Sequence, residues 1–96
     1  MIQKEKICNE KHYRIFYSTA LKNYIFSLMI AKGFCYEMFF RITEEEYQIL
    51  SRGQECHIET ELSSERFLCS QKKSQNKTNE QKQRYAVLKL ELNMEG

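Results

Sequence analysis

Residues 70 to 84, from Ser70 to Arg84, form a run of fifteen residues without one apolar side chain. Such a run has nothing to bury, so any core has to be assembled from the residues before it and from Tyr85 onward. It carries Lys72, Lys73, Lys77, Lys82 and Arg84 against a single Glu80. It therefore reads as a flexible, polar, basic loop, residues 70–84, inside one domain that spans residues 1–96. The length of 96 residues matches a single core. A hydrophobic content of 42% is enough to fill that core without covalent staples, and four cysteines are too sparse for a disulfide scaffold.

The first residues carry Lys4, Glu5 and Lys6 in succession and no apolar run, so no export signal is expected. The most apolar stretch, Tyr24 to Ala31, is far shorter than the roughly 20 residues that span a bilayer. The expectation is a cytoplasmic protein, without membrane contact, in which Cys8, Cys35, Cys56 and Cys69 stay reduced.

Tyr13, Phe16, Tyr17, Ala20, Leu21, Tyr24, Ile25 and Leu28 fall on steps of three and four, with Arg14, Ser18, Lys22 and Ser27 opposite. This spacing predicts an amphipathic helix over 10–32, capped by Asn9 and closed by Gly33. A competing reading pairs Tyr24–Ala31 with Phe34–Ile42 as a hairpin across Lys32-Gly33, because aromatic and branched residues also suit strands. Cys35 to Ile42 alternates and predicts a strand. Thr43 followed by Glu46 is a capping-box signature, opening a short helix that ends at Gly53. Cys56, Ile58, Thr60 and Leu62 alternate with Glu55, His57, Glu59 and Glu61 and predict a second strand. Arg66–Ser70 and Ala86–Met94 predict a third and a fourth. The expected fold class is α+β: a long N-terminal helix and a short helix packed on a mainly antiparallel sheet of about four strands.

Charge is segregated along the chain although the net value is only +2. Residues 37–65 hold Glu37, Glu44, Glu45, Glu46, Glu55, Glu59, Glu61 and Glu65 against Arg41 and Arg52, and the flanking segments are basic. An acidic block confined to two adjacent elements focuses a negative field that attracts a cationic partner. The same glutamates also suit a helix start and an outward strand face for local reasons alone. The basic loop could neutralise phosphates, but it lacks the aromatic side chains that single-strand binders stack on bases.

Signals for chemistry are weak. Cys56 and His57 are neighbours that a strand would point to opposite faces, which removes a thiol–imidazole pair. No close pair of cysteines or histidines suggests zinc, and Gly33, Gly53 and Gly96 cannot build a glycine-rich phosphate loop. No cofactor and no catalytic residue is assigned. The expectation is a small non-enzymatic bacterial binding or inhibitor protein of the immunity type. It would neutralise a cognate toxin, a nuclease among the candidates, through Glu44, Glu45, Glu46, Glu55, Glu59, Glu61 and Glu65. The alternative is a nucleic-acid-associated regulator that uses Lys72, Lys73, Lys77, Lys82 and Arg84.

Overall fold

Residues 10–32 do not form the long N-terminal helix that their spacing suggests. In the computed structural model, which describes residues 2–93, they make two strands, β2 (Tyr13–Ser18) and β3 (Asn23–Lys32), joined by a turn. The reason is that both faces of these strands are covered. Ile15 and Phe26 point into one core while Phe16 and Ile25 point into another. A strand buried on both sides loses its polar alternation, and the resulting apolar run satisfies helical steps equally well. His12 and Lys22, both at φ 57, turn the chain at the two hairpins where a helix would have continued.

The hairpin across Lys32-Gly33 is the arrangement that forms. β3 pairs antiparallel with β4 (Phe34–Ile42) from Tyr24 opposite Ile42 to Lys32 opposite Phe34. Gly33 sits at its apex with φ +79, a conformation that costs glycine little and other residues much. β1 (Ile2–Cys8) pairs with β2, and β5 (Phe67–Ser70) pairs with the outer edge of β4. The sheet is thus a five-stranded antiparallel array in the order β1-β2-β3-β4-β5, not one of four strands.

Helix α1 (Glu44–Ser51) starts as its sequence dictates, with the Thr43 hydroxyl accepting from the Glu46 N–H and the Glu46 carboxylate accepting from the Thr43 N–H. Tyr47 and Leu50 face inward, and the Tyr47 hydroxyl donates to the Lys4 carbonyl at 2.6 Å, tying α1 to β1. Residues 56–62 are irregular and not the expected strand. Only Ile58 of that alternating set is fully buried. The edge of β4 that such a strand could have joined is taken by β5, whose four residues are all buried.

The segment 86–94, expected as a final strand, begins inside the helix α2 (Asn79–Glu91). Met94 lies outside the described residues. A second capping box, Thr78 with Gln81, starts α2 within the polar run. Tyr85, Leu88 and Leu92 then recur on one side and pack on Phe16, Ile25 and Phe39. Strand alternation would have put Leu90 beside Leu88 in the core, whereas Leu90 is 84% exposed.

The outcome is a small α+β domain with the sheet in the middle. α1 and the irregular segment after it cover one face, over Ile15, Phe26, Met38, Phe40 and Phe67. α2 covers part of the opposite face. No helix among the described residues is long and apolar enough to cross a membrane.

Candidate partner-binding surface

The sheet sorts the charged segments by face. The layer over the first face runs from Thr43 to Arg66 and holds seven glutamates against Arg52 and Arg66. The layer over the second face, residues 71–93, holds Lys72, Lys73, Lys77, Lys82, Arg84 and Lys89 against Glu80 and Glu91. Because α1 and α2 lie on opposite sides of one sheet, a charge asymmetry that is linear in sequence becomes a polarity of the folded molecule.

Of the seven carboxylates singled out from sequence, Glu44, Glu45, Glu55, Glu59, Glu61 and Glu65 are exposed, and none of them makes an ion pair among the described residues. Glu46 stands apart. It closes the α1 capping box and accepts from Arg66 Nη1 at 2.6 Å, and Arg66 also reaches the Arg41 carbonyl at 3.2 Å. Burial pushes the Glu46 carboxyl up, but the hydrogen bonds from Arg66 and Thr43 together with the Arg66 charge outweigh it and hold the group below its ordinary value. Its role is to pin α1 to the approach of β5.

Glu37, counted with the acidic block in sequence, sits on the other face. It is buried and held by Arg14 through two parallel bonds of 3.0 Å. Its parity in β4 decides this, since Met38 and Phe40 occupy the face that carries the other glutamates.

A cleft of about 720 Å³ lies at the ends of β3 and β4, where the irregular segment crosses them. It brings Glu44, Glu59 and Glu65 together with Lys22, Arg41 and Arg66, and with the rings of Tyr17 and Tyr24, which meet edge to face at 4.9 Å. The cleft is therefore of mixed sign. Glu55 lines a separate hollow with Lys11 and His57.

The basic residues are more dispersed in role. Lys72 lies 5.6 Å from the Tyr36 ring centroid, and Arg84 is spent on Glu80 at 3.2 Å and on the Leu68 carbonyl at 3.4 Å. Lys73, Lys77 and Lys82 are exposed. The segment that carries them includes a 3-10 turn, Lys73–Gln75, and the first turns of α2. The signal for that helix was present in Thr78-x-x-Gln81, a capping box hidden in a stretch that composition alone makes look like loop.

Cysteine chemistry is not concentrated anywhere. Cys35 is exposed, and the Cys69 thiol is pushed up to about 12 by burial, with Arg84 opposing that shift, so Cys69 stays protonated at neutral pH. No group of three or more His, Cys, Asp or Glu side chains among the described residues could hold a metal ion. The fold defines an α+β protein with an antiparallel sheet between two helical layers of opposite charge. No protein family model, no curated protein and no solved structure matches the chain.

Proposed function

We propose that the protein is a non-enzymatic binding protein that captures a cationic protein surface with the layer formed by residues 43–66. The observation that carries this reading is the set of six exposed carboxylates, Glu44, Glu45, Glu55, Glu59, Glu61 and Glu65, left without ion partners on one face. Unpaired charges of one sign on a common layer accelerate encounter with an oppositely charged partner and penalise the wrong one. An immunity-type role, in which the partner is a toxin such as a nuclease, is the specific form of this reading. In it the carboxylates occupy a site that normally receives phosphates. The mixed sign of the neighbouring cleft adds register, since Lys22 and Arg41 would demand acceptors at fixed places on the partner.

The test is affinity capture from the cell of origin with the wild-type chain and with a Glu59→Lys, Glu61→Lys, Glu65→Lys variant. The wild type is expected to retain a basic protein that elutes with rising salt. The variant should bind that protein at least about a hundredfold more weakly, since close interfacial charge pairs couple by several kcal/mol. Equal retention by both chains overturns the assignment. Retention of nucleic acid, lost on replacing Lys73, Lys77 and Lys82, supports the alternative regulator instead.

A further inference from the structure

α2 does not cover the whole of its face. Its inward residues Tyr85 and Leu88 pack on Phe16, Ile25, Phe39, Leu68 and Cys69, all toward one part of the sheet. Beyond them lies a groove of about 330 Å³, bordered by Ile7, His12, Arg14, Ser27, Met29 and Glu37. Its walls are apolar and open: Ile7 is 62% exposed and Met29 38%, high values for large side chains on sheet strands.

The floor is polar, buried and already ordered. Arg14 donates from Nε and Nη2 to the two oxygens of Glu37 at 3.0 Å, and from Nη1 to Glu5 at 2.9 Å. The Ser27 hydroxyl donates to the same Glu37 carboxylate. A guanidinium offers five N–H donors, and three are used here, so two remain without a protein acceptor among the described residues. A carboxylate offers about four acceptor sites, and Arg14 and Ser27 take three of them. The floor thus has donors and an acceptor left over side by side, and its two charges cancel.

We propose that this groove binds a small neutral amide with an apolar body. The amide carbonyl would accept from the unused Arg14 N–H groups, its N–H would donate to Glu37, and its apolar body would lie along Ile7 and Met29. Neutrality is the selective feature. A carboxylate brought here would sit against Glu37, and an ammonium against Arg14, in each case with one partner already committed. A buried ion pair adds little to stability compared with apolar packing, so its placement under an open, apolar-walled groove fits recognition better than support.

Three probes that differ only at the head test this: hexanamide, hexanoate and hexylammonium, each titrated into the full chain and followed by two-dimensional 1H–15N NMR. Hexanamide is expected to shift the Ile7, His12, Ser27 and Met29 amides and the Arg14 Nε signal saturably, with both charged probes at least about tenfold weaker. Ile7→Lys and Met29→Lys lie at accessible positions and should remove the response while the melting temperature stays unchanged. Glu59→Lys, Glu61→Lys, Glu65→Lys should leave it intact, which separates this site from the acidic layer. A charged probe that binds as well as the amide, saturable shifts elsewhere, or no saturation overturns the proposal.

Discussion

At the residue scale, the same residue type serves three purposes according to what surrounds it. Glu46 is a cap and an anchor, Glu37 is half of a buried pair, and Glu59 is free on the surface. Glu91 joins the first group: burial raises its carboxyl, but the Ser18 hydroxyl and the Ala20 N–H hold it below its ordinary value and fix the end of α2 to the β2–β3 turn. For both Glu46 and Glu91 the folded value lies below the unfolded value of about 4.5. Their contribution is therefore complete above that pH and is lost as pH falls through the lower folded values. Thermal melts should be flat from pH 7 to about 5 and fall below about 4.5. A Glu46→Gln, Glu91→Gln variant is expected to start less stable and to show a shallower fall; a wild-type slope in the variant would contradict the assignment. The identity of Glu46 as a cap is legible in the chain, because Thr43 and Glu46 are three apart. Its bond to Arg66 is not, because twenty positions separate them.

At the element scale, local signals succeed where the partner is local and fail where a neighbour decides. α1 forms as its capping box indicates, because every bond that starts it lies within four residues. The strands β2 and β3 mislead because burial on both faces erases the alternation by which strands are known. α2 misleads in the opposite sense, since Ala86, Leu88, Leu90 and Leu92 alternate by coincidence while only Leu88 of these is fully buried. Leu88→Ala should cost about 2–5 kcal/mol through the cavity it opens, and Leu90→Ala no more than about 0.5 kcal/mol. Denaturant midpoints of the two variants measure the contrast. Equal losses at the two positions would mean that the segment is not packed as a helix. The acidic candidates follow the same division: their chain positions are visible in sequence, but the departure of Glu37 to the other face depends on the register of β4.

At the scale of the whole molecule, the sheet acts as a partition between an acidic and a basic layer. A net charge of +2 therefore understates how the protein meets its surroundings. At pH 7 and low salt it should be retained on both cation and anion exchangers, and Glu59→Lys, Glu61→Lys, Glu65→Lys should remove only the retention on the anion exchanger. Failure of the wild type to bind the anion exchanger would show that the carboxylates are internally neutralised. The chain by itself determined the α+β class, the capping of α1, the strand through Cys35–Ile42 and the ordering of charge into blocks, all of which depend on neighbours a few residues apart. Only the tertiary structure decided that residues 10–32 extend, that α2 closes the second face, and that the blocks end up on opposite sides. Those outcomes depend on which surfaces are left to bury once β1 to β5 have paired, and that is a property of the assembled sheet.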